Sequence, residues 1–232
     1  MYKLTPKYGI YKQFEYRDEV IKRIKLRYNK NYHLKVTSLG GQFCFINPNS
    51  IENQILKYFK NAEITIVETS SQSLRVIHKS LSILNRYNRN DKKRVKIFDG
   101  TMRKYIKNIN KYKFSYHDKD KCNVVIADYY SGFNRQRIEE LNYFLKLFVL
   151  SKYSQIFLTI AEAHRVKTKP ITKFVKSESK DKNYLKGVIN IIQKIAKKNE
   201  SKLESQIESW GYKNKDVSKH ATQMHVLDIK VA

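Results

Sequence analysis

Three carboxylates stand at the ends of three apolar runs: Ile64-Thr-Ile-Val-Glu68, Val95-Lys-Ile-Phe-Asp99 and Asn123-Val-Val-Ile-Ala-Asp128. Each run has the β-branched, apolar composition of a buried strand. In an open parallel α/β sheet, ligands occupy the crevice beyond the carboxyl ends of the strands, so Glu68, Asp99 and Asp128 would face one site. A carboxylate offers two acceptor oxygens and suits a pair of hydroxyls. Upstream, Val36-Thr-Ser-Leu-Gly40-Gly41 pairs a short apolar run with two glycines, where backbone can approach a ligand without a Cβ in the way. A second register places the first strand at 42–46 and puts Asn47-Pro-Asn-Ser50 where the glycines would be. After Asp128 come Tyr129 and Tyr130, rings able to stack on a base or sugar.

The elements that must carry these residues alternate from Leu34 onward. Hydrophobic periodicity predicts strands at about 34–39, 63–68, 94–98, 123–128 and 154–161, separated by helices at about 50–60, 71–86, 101–109 and 134–150. Asn49, followed three residues later by Glu52, has the spacing of a capping box at the first of these helices. Strand and helix alternation at this spacing implies right-handed crossovers and a parallel sheet with helices on both faces. Two late strands, one starting at Trp210-Gly-Tyr212 and one at 223–231, have no helix between them, which predicts an antiparallel hairpin at one edge. Residues 1–33 are read as a separate basic, aromatic-rich helical segment, with Val20, Ile21, Ile24, Leu26 and Tyr28 on its apolar stripe. Residues 34–232 are read as one α/β domain that includes a basic loop and a helix at 165–208.

The 232 residues carry 47 Lys and Arg against 21 Asp and Glu, a net charge of +26, spread along the chain. That excess favours polyanions, with nucleic acid the first expectation. The region 165–202 holds twelve cations against Glu178, Asp181 and Glu200, a net +9. Lys167, Lys169, Lys173 and Lys176 from that region, with Arg23 and Arg27 from the N-terminal segment, are the candidate phosphate contacts. Lysine, asparagine, isoleucine and tyrosine abundance also reflects an AT-rich genome, which raises lysine content without reference to a ligand. Two distant cysteines make a disulfide framework or zinc site improbable and point to a reducing, intracellular compartment. The histidines lack metal-ligand spacing, and there is no apolar run of membrane-spanning length.

The order of elements resembles the class I S-adenosylmethionine-dependent methyltransferases over about residues 34–232. Their Rossmann-like sheet has seven strands, mostly parallel, with an antiparallel C-terminal strand. The resemblance implies S-adenosylmethionine as cofactor, with Gly40 and Gly41 in the glycine loop, Glu68 on the ribose hydroxyls and Asp99 near the adenine. Asp128, Tyr129 and Tyr130 would form the catalytic loop that orients the methyl acceptor. The third glycine of the family loop is absent, and Asp128-Tyr-Tyr-Ser lacks both prolines of the amino-methylating DNA enzymes. Neither the Pro-Cys motif of 5-methylcytosine enzymes nor the Lys-Asp-Lys-Glu tetrad of 2′-hydroxyl methylation is visible. The polyamine-synthase branch shares the Val-Glu and Asp-Gly pattern, but a polycation repels a polyamine. Two expectations follow. One is a methyltransferase acting on RNA or DNA; the other is a catalytically inactive, nucleic-acid-binding subunit of a viral or organellar complex.

Overall fold

The strands Glu63–Glu68, Val95–Asp99 and Cys122–Asp128 end on the acids that close their apolar runs, and the strands assemble in an order that local sequence does not show. In the computed structural model the structure describes residues 16–41, 44–87, 93–111, 122–129, 132–146, 150–161, 168–181, 183–214 and 222–232. These form strands β1 (Lys35–Ser38), β2 (Glu63–Glu68), β3 (Val95–Asp99), β4 (Cys122–Asp128), β5 (Leu150–Ala161), β6 (Glu208–Asn214) and β7 (Thr222–Val231). Helices are α1 (Asp18–Arg27), α2 (Ile51–Tyr58), α3 (Ser71–Tyr87), α4 (Met102–Lys111), α5 (Arg135–Lys146), α6 (Thr168–Ser179) and α7 (Tyr184–Lys198). The sheet has seven strands in the order β3-β2-β1-β4-β5-β7-β6. The pairs from β3 through β5 are parallel, and β7 runs antiparallel to both β5 and β6. The expected late hairpin is therefore β6–β7, with β7 inserted beside β5.

Alternation along the strands builds two cores. Val124 and Ile126 join Val36, Ile64, Ile66 and Ile77 on one face, under α1, α2 and α3. Val125 and Ala127 join Leu158, Ile160 and Leu227 on the other, under α4, α5 and α7. Helix α1 belongs to the first core, because Val20, Ile21, Ile24 and Tyr28 are buried with Leu34 and Ile55. Each such side chain contributes about 1.5–3 kcal/mol over exposure, whereas an isolated ten-residue helix is marginal in water. Packing, not propensity, thus holds α1, and the segment from Tyr16 to Tyr28 shares the core of the sheet. Leu26 departs from the expected stripe, being 78% exposed.

Two local expectations are corrected. The basic stretch expected as a loop before the last helix contains helix α6. Its Lys-Thr-Lys-Pro start has loop composition, but Pro170 falls in the first helical turn, where a missing N–H costs nothing. The helix is held by close approach to α7: a Cβ on Gly187 would lie 2.7 Å from Ser179 Oγ and 2.8 Å from Val175 Cγ1. The second correction concerns the start of α2. The N-cap is Ser50, whose hydroxyl accepts from Asn53 N–H at 3.1 Å and donates to the Cys44 carbonyl. Asn49 does not cap the helix, and Glu52 is released for another position.

Candidate functional site

Strand β1 ends at Ser38 and pairs with β4 through Val36, Thr37 and Ser38, which settles the register in favour of Gly40 and Gly41 following the first strand. Gly40 is required by packing: a Cβ there would lie 2.7 Å from Ile66 Cγ2. Gly41 is different, since a Cβ there would meet nothing within 4 Å. It leaves open space at the mouth of a cleft of about 410 Å³ above the carboxyl ends of the central strands. Gly40, Gly41, Glu68, Asp128 and Tyr129 all line this cleft.

Glu68 is held in place by the backbone that follows it. Its Oε1 accepts from Thr69 N–H at 2.7 Å and Ser70 N–H at 2.8 Å, just before α3 begins. Carboxylates favour such helix-start positions because the N–H groups there lack intrahelical partners. Oε2 takes no bond among the described residues, so one oxygen anchors the side chain and the other serves the cleft. Asp99 sits beside Glu68 in register, but it is exposed and does not line the cleft. The wall at β3 is made instead by Gly100, Thr101 and Met102, with Gly100 N–H donating to the Glu68 carbonyl at 2.9 Å. Asp99 thus stands at the rim of the sheet, and the chain turns one residue after it, at Gly100.

The structure adds residues that the sequence reading missed. Glu52, from the first turn of α2, is buried on the cleft wall and accepts from Ser38 Oγ at 2.7 Å. Burial raises its carboxyl above the ordinary range, while the Ser38 hydrogen bond and the nearby charge of Arg17 oppose the rise. Tyr16 and Arg17, at the start of α1, form another part of the wall. The only sequence signal for Glu52 was its capping-box spacing, which pointed to a different role. Arg17 offered none, because its place depends on α1 docking beside β1.

Across the cleft, Tyr129 is tied into a polar cluster on α5. Its hydroxyl donates to Glu140 Oε2 at 2.5 Å, and Glu140 also accepts from Gln136 Nε2 at 3.0 Å and Arg137 Nη1 at 2.8 Å. The Arg137 guanidinium lies 3.3 Å from the Tyr129 ring centroid. Burial, then the Glu140 carboxylate, holds the Tyr129 phenol well above its ordinary value near 10. Tyr129 therefore stays a neutral donor, with one ring face covered by Arg137. Tyr130 lies outside the described residues.

The expected phosphate contacts divide. Lys173 and Lys176 are exposed on α6. Lys169 lies in α6, but its side chain is outside the described set, as is all of Lys167. Arg23 and Arg27 correct the expectation, for both face acids of the fold. Arg23 bonds Glu19 at 2.8 Å, Glu208 at 2.6 Å and Asp228 at 3.1 Å, and lies 4.5 Å from the Trp210 ring centroid. Arg27 forms a fork on Glu204, at 2.5 and 2.6 Å. The guanidinium fork matches carboxylate geometry, so these residues clamp α1 to β6, β7 and the turn before β6.

A candidate methyltransferase from Bacillus halodurans superposes with a TM-score of 0.51 at 9% identity, covering 92% of this chain and 98% of that one. The fold is that of the class I S-adenosylmethionine-dependent methyltransferases. A candidate sarcosine dimethylglycine methyltransferase from Galdieria sulphuraria also gives a TM-score of 0.51, at 7% identity, covering 92% of this chain and 84% of that one. TYW2 of M. jannaschii, solved in complex with AdoMet, is similar at a TM-score of 0.49 and 17% identity, covering 93% of this chain and 75% of that one. No protein-family model matches the chain, and no curated protein matches it. Among the described residues, no helix of this methyltransferase-like fold is long and apolar enough to cross a membrane.

Proposed function

We propose that the chain binds S-adenosylmethionine in the cleft above β1, β2 and β4 and transfers its methyl group to a nucleic acid. The observation that carries this reading is the convergence of Gly40, Gly41, Glu68 and Asp128, from adjacent parallel strands, on one cleft of about 410 Å³. That volume lies in the range of small-molecule sites. The donor set also fits: Glu68 Oε2 offers an acceptor to ribose hydroxyls, Gly41 leaves room for the ligand, and Arg17 supplies a cation for a carboxylate. Asp128 supplies negative charge for an ammonium or sulfonium group, and Glu52 adds a buried carboxyl to the wall. Asp99 contributes through the turn it begins, by placing Gly100 and Thr101.

When bound, S-adenosylmethionine supplies a methyl group on a sulfonium centre, open to in-line displacement. The residues of this chain hold, align and shield; alignment of reacting groups is the main contribution a protein makes to such a step. Asp128, with Tyr129 and Tyr130, orients the acceptor at the end of β4. The net charge of +26 supports a polyanionic acceptor, and Lys173 and Lys176 are available at the surface.

The reading of an inactive binding subunit draws on one observation. Tyr129 is committed to Glu140 and Arg137, so at least one aromatic of the acceptor loop is occupied by the fold itself. Calorimetry with S-adenosylmethionine and S-adenosylhomocysteine, followed by radiolabelled methyl transfer to RNA, DNA and protein, separates the two. Enzyme activity predicts micromolar binding and labelled nucleic acid, with Asp128→Asn retaining binding but losing transfer by orders of magnitude. Absence of heat with either compound refutes the cofactor site; heat without transfer to any acceptor supports the inactive subunit.

A further inference from the structure

A second groove runs between α1 and α2 on the sheet face opposite α5 and α7. It is about 530 Å³ in volume and is lined by Asp18, Lys25, Lys30, Asn49, Lys57 and Tyr58 among others. A shallower hollow of about 430 Å³ adjoins it, sharing Asp18, Lys25 and Gln54 and adding Lys22 and the exposed Leu26. From Asp18 to Lys25 the groove follows α1 for roughly 10 Å by helical rise. Its Asp18 and Asn49 are next in sequence to Arg17 and Ser50 of the cleft, so one end of the groove lies near the cleft wall.

The charges of α1 are sorted by side. Arg23 and Arg27, towards β6 and β7, are neutralised by Glu208, Asp228 and Glu204. Lys25, Lys30 and Lys57 are exposed and make no ion pair among the described residues. Lys22 pairs with Glu19 at 3.5 Å, and Asp18 is the acid within the groove. The ammonium groups of Lys25 and Lys30 lie 4.5 and 5.9 Å from the Tyr58 ring centroid. Lys25 and Lys30 over the Tyr58 ring, with Lys57 next to it in sequence, set unneutralised cations beside an aromatic that a base reaches by displacing their flexible ammonium groups onto its phosphates, the pairing that single-stranded nucleic acid requires. Lysines are point charges without a base-reading fork, so the contact is to backbone and ring rather than to sequence.

We infer that the α1–α2 groove binds a single nucleic-acid strand, with Lys25, Lys30 and Lys57 on its phosphates and a base against Tyr58, and leads that strand towards the cleft. The inference deepens the methyltransferase reading by assigning the acceptor a path, and its direction towards the cleft rests on that reading. A duplex, whose bases are already paired and stacked, would offer the Tyr58 ring no base face.

The test is fluorescence anisotropy of labelled twelve-nucleotide RNA and DNA single strands and of the matching duplex, titrated with full-length protein over a range of salt. The triple variant Lys25→Gln, Lys30→Gln, Lys57→Gln should weaken single-strand binding and flatten the log–log salt slope by about 2, at about 0.7 per phosphate contact. A control triple, Lys79→Gln, Lys104→Gln, Lys107→Gln, removes the same charge from other exposed positions and should change the slope much less. Tyr58→Leu should weaken single-strand binding about tenfold, with Tyr58→Phe restoring it to within about twofold. Equal losses in the two triples, a Tyr58→Leu variant that binds like wild type, or wild-type protein that prefers duplex overturns the inference. Calorimetry with S-adenosylmethionine on the same proteins keeps the two readings apart. The groove triple should give wild-type heat, and absence of heat in all of them refutes the cofactor site while the groove comparison still stands or falls on anisotropy.

Discussion

Glu68→Gln separates the two jobs of one side chain. Oε1 receives the N–H groups of Thr69 and Ser70 at 2.7 and 2.8 Å, and a glutamine carbonyl can accept both. Loss of charge at the start of α3 costs about 0.3–1 kcal/mol, a shift of a few degrees in melting temperature. On the cleft side, Oε2 becomes an amide that donates where hydroxyls of the cofactor would also donate. A hydrogen bond to a charged group is worth about 1.5–3 kcal/mol, so affinity for S-adenosylmethionine should fall roughly 10- to 150-fold. Glu68→Ala should lose the same affinity and also the anchoring of Thr69 and Ser70, costing about 1 kcal/mol more in stability. Isothermal titration with S-adenosylmethionine and S-adenosylhomocysteine, beside thermal melts, reads both effects. Wild-type affinity in a folded Glu68→Gln variant would refute the placement of the cofactor diol at β2.

Gly40→Ala should destabilise the fold by about 1–3 kcal/mol, because its Cβ would overlap Ile66 Cγ2 at 2.7 Å, whereas Gly41→Ala should leave stability unchanged and weaken cofactor binding; denaturant melts and calorimetry distinguish them. Burial raises the Glu52 carboxyl, so the folded state holds its proton to higher pH than the unfolded chain. Wild-type stability should therefore decline as pH rises above the ordinary value near 4.5 towards the raised value, and Glu52→Gln should remove that decline in melts across the same range. Hydrogen bonds from Arg27 hold the Glu204 carboxyl below its ordinary value, so this contact stabilises the fold above pH 4.5 and is lost as pH falls through the lowered value. Glu204→Gln should flatten the acid limb of the melting curve by a fraction of a kcal/mol, given its partial exposure, and amide exchange should show α1 opening first.

The strands were legible because burial on both faces writes a local signature: β2 and β4 are apolar runs, and each closes on the acid that the cleft uses. The position of Gly40 and Gly41 was legible for the same reason once β1 was placed, though whether β1 lay before or after the glycines awaited its pairing with β4. The late hairpin could be inferred from two strands lacking a helix between them, but the insertion of β7 beside β5 is a pairing across the chain. Side-chain assignments were less legible where the deciding partner was remote. Arg23 and Arg27 look like free cations in a basic helix, and only docking against β6 and β7 brings them acids from 177 to 205 residues away. Glu52 carries the spacing of a capping residue, and only the use of Ser50 as the cap, with Ser38 opposite, turns it into the cleft. Asp99 ends its strand as Glu68 does, yet the turn at Gly100 leaves it outside. Local sequence determines where strands and helices form, through periodicity and caps acting over a few residues. Which face of each charged side chain meets solvent, another charge or a ligand is decided by long-range packing, because charge energies depend on neighbours and burial that no local window contains.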